Sequence, residues 1–168
     1  MGRCLKQNEV KLLNNTDVIG LRFCFDGYEK HFDIIFGKID VKKYVWHVTN
    51  SEIHCLSNPY QKAFLLPPNI YSGEEFSDEI KCCDYHAIHA RMFAAPAHDP
   101  SLPKNIDDYE AFLKSPFEIA LLCADCYADF YAKDPKVIKA VADACIHNQK
   151  SDLSFLTKEN DTRTGFYI

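Results

Sequence analysis

The sequence predicts an α+β protein with a mainly antiparallel or mixed sheet and about four helices packed on one face of it. Aromatic residues form 13% of the chain, and such residues fit the pleated, half-buried surfaces of sheets. Strand-like and helix-like segments alternate irregularly and include two hairpins, unlike the repeated units of a doubly wound sheet. From the length of 168 residues we expect one domain over 18–168, preceded by a flexible extension over 1–17.

A strand and a short helix open the predicted domain. Apolar residues alternate with other types from Ile19 to Phe25, which is the period of a half-buried strand. Asp26 and Glu29 have the spacing of a capping box, and a helical apolar stripe follows that Gly37 bends or ends. The stripe consists of Phe32, Ile35, Phe36 and Ile39.

The middle of the chain predicts a hairpin, a helix and a strand. The segment 44–56 is rich in strand-forming residues and carries Asn50 and Ser51 at its centre, which favours a turn there. Ser72 and Glu75 have the spacing of a second capping box, so a helix should begin at that point. A further strand is predicted over about 85–94.

The last third of the chain has the clearest local signals. Asn105 is placed to cap a helix after a proline-rich loop. Two apolar runs over 118–123 and 127–132 predict a tight hairpin. Asp134 followed by Pro135 is the pattern of an N-cap and a first-turn proline, so the longest predicted helix begins there.

A polar connection from Lys158 to Arg163 separates two predicted closing strands over 153–156 and 165–168. A loop so dense in Asp, Asn, Thr and Arg either binds a ligand or forms a turn with bonds from side chains to the backbone. The binding interpretation points to Asp161 and Arg163. If Arg163 contacts a ligand, its replacement by Ala should leave the melting temperature nearly unchanged.

Two aromatic residues are candidate anchors for a partner. Tyr127 flanks the predicted hairpin turn, where a ring with a polar tip suits a partly exposed contact. Trp46 is the only tryptophan and lies in an alternating segment, so it is either a core residue or an anchor that faces a partner.

Short strings of residues spread over about 18–168 carry a family resemblance. They are Gly20–Phe23, Ile39–Asp40 before Tyr44–Trp46, Tyr109–Leu113, Leu121–Asp125 with Tyr131–Asp134, and Glu159–Thr164. In these strings the chain resembles a family of small uncharacterised proteins of unknown function from spore-forming Gram-positive bacteria. The family pattern closes with Val-Trp where this chain has Tyr167 and Ile168. The resemblance implies an α+β fold and no known activity.

Cysteine and histidine spacing supports one metal hypothesis. Cys123 and Cys126 form a Cys-x-x-Cys pair, and Cys83 and His86 supply donors about forty residues earlier, a set whose chemistry suits zinc. The alternative is that these residues are ordinary side chains of strands. On a regular strand His86 and His89 would point to opposite faces, which argues against a shared metal. We therefore expect no cofactor, with zinc as the alternative.

Common catalytic signatures are absent from the sequence. It contains no Gly-rich phosphate loop, no Gly-x-Ser-x-Gly elbow and no His-Glu-x-x-His pair. The remaining hypotheses are a noncatalytic binding module and a zinc-binding protein or small enzyme that uses Cys and His residues. Toxin-neutralising immunity proteins are similar in charge and size only.

Net charge and hydropathy limit the classes of partner that we expect. A net charge of −5 repels phosphate backbones and anionic lipid, so neither nucleic acid nor a membrane is an expected partner. The sequence shows neither a secretory signal nor an apolar run of the roughly 20 residues that span a bilayer, and we expect a cytoplasmic protein. A protein partner, a second copy of the chain and a small polar ligand all remain open.

Overall fold

The computed structural model describes residues 17–24, 32–56, 69–82, 84–96, 106–124, 126–148 and 152–166. These residues form one sheet of seven strands in the order β3-β2-β4-β5-β6-β1-β7, and every neighbouring pair is antiparallel. The predicted α+β class is confirmed. The strands are β1 Val18–Cys24, β2 Tyr44–Cys55, β3 Asn69–Tyr71, β4 Tyr85–Pro96, β5 Ile119–Ala124, β6 Tyr127–Ala132 and β7 Ser154–Thr157.

Helices cover both faces of the sheet, whereas the sequence predicted helices on one face. The α-helices of the described residues are α1 Asp33–Phe36, α2 Gly73–Lys81, α3 Tyr109–Lys114 and α4 Pro135–His147. Buried residues of α1, α2 and α4 share one apolar layer, while Phe112 of α3 belongs to a second layer on the other face. We call these the first and the second face. No helix in this part of the chain is long and apolar enough to cross a membrane.

Two predicted helix starts are confirmed by their caps. The Ser72 hydroxyl accepts the backbone N–H of Glu75, and the Glu75 carboxylate accepts the backbone N–H of Ser72, at 3.2 and 2.8 Å. The Asp134 carboxylate accepts the N–H of Lys136 at 2.8 Å, with Pro135 in the first turn. Each cap satisfies backbone donors that a helix leaves unpaired at its start.

Two other predicted caps have a different outcome. The cap of α3 is Asp108, whose carboxylate accepts the N–H of Ala111 at 2.7 Å, and Asn105 lies outside the described residues. Asp26 and Glu29 also lie outside them. Helix α1 begins after Phe32, which provides no side-chain cap, and, as predicted, Gly37 ends it.

The predicted hairpin over 44–56 is wrong, because β2 is one continuous strand of 12 residues. Asn50 and Ser51 pair with Arg91 and Ala90 of β4 instead of forming a turn. The register shifts between Val48 and Asn50, so the polar residues follow a bulge within the strand. Pairing with β4 along the whole length of β2 keeps the strand extended past residues that locally favour a turn.

The chain end also departs from the prediction. Residues 164–166 form a bend rather than the predicted strand, and Tyr167 and Ile168 lie outside the described residues. The backbone N–H of Phe166 donates to the carbonyl of Asp107 at 2.7 Å, and the Phe166 ring is buried in the second-face layer. The final segment therefore packs across the sheet instead of extending it.

Candidate functional site

A buried carboxylate binds residues 158–166 to the second face of the sheet. The Asp129 side chain on β6 is 1% exposed and accepts two hydrogen bonds from Arg22 of β1, at 2.6 and 2.8 Å. Arg163 also binds Asp129, with its Nε and a terminal nitrogen 2.7 and 2.6 Å from Oδ2. One buried carboxylate thus holds two guanidinium groups, and the carboxylate in turn raises the pKa of Arg22.

Tyr131 provides the second attachment of this segment. Its hydroxyl donates to the Asp161 carboxylate at 2.9 Å, and burial together with Asp129 and Asp161 raises the pKa of Tyr131 far above its ordinary value. The Tyr131 ring also lies 4.8 Å from the ring of Phe166. The hydroxyl therefore stays protonated and keeps donating to Asp161 throughout the physiological pH range.

A cleft of about 1050 Å³ lies beside this segment, where β1 begins and β6 and β7 end. We call it the end cleft. Helix α3 contributes Tyr109 and Leu113 to its walls, the turn after β7 contributes residues 158–160, and Ile19 and Ala132 add apolar surface from the strands. The Asn160 amide donates to the carbonyl of Phe155 at 2.9 Å and fixes the shape of that turn.

Charged side chains of both signs line the end cleft. Lys158 forms an ion pair with Glu110 of α3 at 3.0 Å, and its ammonium lies 5.9 Å from the centre of the Tyr109 ring. Lys133 follows β6 and donates to the carbonyl of Ser115 at 2.6 Å. Burial lowers the pKa of Lys133. The cleft therefore combines apolar surface with an equal number of polar and charged residues, and contacts within the protein hold both lysines in place.

The four predicted binding residues do not lie together in the structure. Asp161 and Arg163 follow the lining residues 157–160 in the chain but do not line the end cleft themselves. They are engaged by Tyr131 and Asp129 and position the segment 158–166. The Arg163 guanidinium already neutralises a buried carboxylate. Replacing Arg163 should therefore lower the melting temperature, in contrast to the nearly unchanged value expected from the sequence.

The two aromatic candidates lie away from the cleft. Tyr127 is 43% exposed and sits at the opposite end of β6 from Ala132, which at about 3.4 Å per residue is roughly 17 Å away. Trp46 is fully buried on the first face, stacked on Phe76 at 4.4 Å, and its indole N–H donates to the carbonyl of Val41 at 3.1 Å. Trp46 is thus a core residue and presents no surface to a partner.

The proposed zinc ligands are not brought together in the described part of the chain. Cys123 is buried in the first-face layer, whereas His86 lies on the second face, because its strand neighbours Tyr85 and Ala87 belong to the first. Cys126 is exposed at the hairpin end, and Cys83 lies outside the described residues. Among the described side chains no three His, Cys, Asp or Glu residues are arranged to hold a metal ion.

The argument that His86 and His89 point apart is wrong. The buried first-face residues of β4 change from odd positions, ending at Ala87, to even positions, starting at Ala90. The register with β2 shifts at the same place, so one residue of β4 is extra there. This bulge places both histidines on the second face.

Sequence reasoning missed Arg22 and Asp129 as organisers of the site. Both are charged residues inside otherwise apolar strands, and the register pairs them directly across β1 and β6. A charge in such a strand is costly unless it is paired, and this was the signal that could have revealed them. Their partner Arg163 lies 34 residues further along the chain than Asp129, a separation that local patterns do not report.

These observations define a one-sheet α+β protein with a cleft at one end of the sheet. The chain belongs to the family described as "Protein of unknown function (DUF2691)", whose sequence profile matches residues 18–167, and the predicted family resemblance is confirmed. It is similar to "Uncharacterized protein YncE" of Bacillus subtilis (strain 168), with 25% identity over 136 residues that cover 80% of this chain and 88% of that protein. No solved structure matches the chain.

Proposed function

We propose that this protein is a noncatalytic binding module that holds a small ligand in the end cleft. The observation that carries the proposal is the cleft itself, whose volume of about 1050 Å³ is close to the range of roughly 300–1,000 Å³ typical of ligand pockets. Its described lining contains no cysteine, histidine or serine, and its two lysines are engaged, Lys158 by Glu110 and Lys133 by the carbonyl of Ser115. Binding without turnover is the simpler use of this lining.

The distribution of exposed apolar residues favours a small ligand over a protein partner. In the described part of the chain the large exposed ones are Leu56, Ile70, Leu113 and Tyr127, and they lie on different elements. A docking surface for a protein is usually one contiguous apolar patch with a polar rim. Leu113 is the member of this group that lines the end cleft, where Ile19 and Ala132 add further apolar surface.

The proposed location is the cytoplasm. Six of the eight cysteines belong to the described residues, and no disulfide joins them to one another. Unbridged cysteines in the described part of the chain suit a reducing compartment.

A ligand screen by thermal shift tests the proposed function. A ligand at 100 times its Kd stabilises the folded state by about 2.7 kcal/mol, which for a protein of this size raises the melting temperature by roughly 5–10 °C. The variant Leu113→Trp places a larger ring in the wall of the cleft, where it would clash with a bound ligand, and should abolish the shift. Its control, Ile70→Trp, places the same side chain at a 54% exposed position on β3 and should retain it.

Two results would contradict the proposal. A shift that survives in Leu113→Trp would place the ligand elsewhere, and release of a chemically altered ligand would indicate catalysis. A native mass spectrum of the same preparation that shows one zinc ion per chain would favour the metal alternative.

A further inference from the structure

Lys133 lines the end cleft, and among the described residues its ammonium group forms no ion pair with an acidic side chain. Its Nζ donates to the carbonyl of Ser115, and this bond uses one of the three N–H groups of the ammonium. The Nζ also lies 5.4 Å from the centre of the Phe112 ring. The ion pairs of the described residues do not include Lys133, although Glu118 is close enough to oppose the lowering of its pKa. Within the described part of the chain, two N–H groups of this partly buried cation remain for an acceptor.

Glu159 brings the opposite charge to the same cleft. It lies in the turn after β7, it is exposed, and the ion pairs of the described part of the chain do not include its carboxylate. The other charged residues of the lining are already engaged. Lys158 is paired with Glu110, and Asp17 has an interaction within the protein.

Apolar residues also line the end cleft. Leu113 is 36% exposed, and Ile19 and the Tyr109 ring add further apolar contact. A ligand that matches the cleft therefore needs a carboxylate, an ammonium group and apolar side chains. The volume of about 1050 Å³ exceeds the needs of a single amino acid and favours a short peptide.

We propose that the ligand of the end cleft is a short zwitterionic peptide with apolar side chains, whose carboxylate binds Lys133 and whose ammonium group binds Glu159. This inference rests on the proposed function and adds the chemical class of the ligand. Charge complementarity makes the two ends of the peptide distinguishable, because each end meets the unpaired charge of opposite sign.

Isothermal titration of the full chain with three probes tests the proposal. The probes are L-leucyl-L-leucine, its N-acetyl form, which lacks the ammonium group, and its amide, which lacks the carboxylate. We expect the unmodified dipeptide to bind about tenfold more tightly than either modified form, as for one partly exposed charged hydrogen bond. Lys133→Met should abolish discrimination against the amide only, and Glu159→Gln should abolish discrimination against the acetyl form only.

Controls separate a failure of binding from a failure of folding. Lys139→Met removes an exposed lysine of α4 and should leave all three affinities unchanged. Lys133→Met also loses the bond to Ser115, so Lys133→Arg, which retains a donor and the charge, should restore discrimination against the amide. Glu159 is exposed, so Glu159→Gln folds like the parent and tests the ammonium site independently.

Equal affinity for the three probes, or no binding of the dipeptide, overturns the inference. The proposed function survives that result if the ligand screen still finds a compound whose thermal shift disappears in Leu113→Trp. The proposed function fails separately if no compound in the screen depends on the cleft.

Discussion

Replacing Asp129 by Asn should destabilise the protein strongly, although one amide takes the place of one carboxylate of almost the same shape. Asp129 is 1% exposed and accepts hydrogen bonds from both Arg22 and Arg163. The Asn side chain has one acceptor oxygen, and its amide group would face a guanidinium group with donors on both sides. Two cations would then lack their shared counter-charge.

The magnitude follows from the burial of the three side chains. Removing one partner of a buried ion pair costs about 3–5 kcal/mol, but Arg22 and Arg163 are 28% and 20% exposed, so water compensates part of the loss. We expect Asp129→Asn to cost about 2–4 kcal/mol, which lowers the melting temperature by roughly 4–16 °C in a chain of this length. Arg163→Met should cost less, about 1–2 kcal/mol, because Asp129 keeps both bonds to Arg22.

Urea unfolding of the single variants and of the double variant measures the coupling between Asp129 and Arg163. The double variant should be more stable than the sum of the single effects predicts, by about 1 kcal/mol. Lys139→Met is the matched control, since it removes an exposed cation and should change stability little. Hydrogen exchange over residues 158–166 should accelerate in Arg163→Met. A melting temperature of Arg163→Met equal to that of the parent, with unchanged exchange, would refute the attachment and restore Arg163 as a candidate ligand contact.

Three further predictions concern the two apolar layers. His47 is 8% exposed and stacks on Phe117 at 6.0 Å, and burial, followed by the nearby charge of Arg91, lowers its pKa. Because the unfolded chain binds the extra proton, the free energy of unfolding should fall as pH decreases below about 6.5. Urea unfolding at two pH values should show a smaller fall in His47→Gln than in the exposed control His54→Gln. Gly73→Ala should lower the melting temperature although Ala favours helices, because its Cβ would lie 2.6 Å from the Cα of Lys42, and equal stability would show that the backbone there yields. Fluorescence of the single tryptophan, Trp46, should be blue-shifted and inaccessible to iodide until the protein unfolds, and quenching in the native state would contradict its burial.

The elements that the sequence predicted correctly are those whose signals are local. The hairpin of β5 and β6, the cap of α4 by Asp134 and the capping box of α2 each depend on residues within a few positions of one another. Their hydrogen bonds close short loops, so neighbouring residue types contain the necessary information.

The elements that the sequence predicted wrongly depend on partners distant in the chain. Asn50 and Ser51 favour a turn locally, but backbone hydrogen bonding with β4 outweighs that preference. The bulge that places His86 and His89 on one face likewise arises from pairing with β2. A shift of one residue reverses the face of every later side chain, and the sequence carries no local mark of it.

The amino-acid sequence alone determined the α+β class, the family and the presence of a polar connection over Lys158–Arg163. Only the tertiary structure assigned roles within that connection, because the roles depend on which residues the sheet places beneath it. Asp129 and Tyr131 engage Arg163 and Asp161, which leaves the first residues of the connection to line the cleft. Such contacts join residues about 30 positions apart, and their geometry exists only once β6 has been assembled in the sheet.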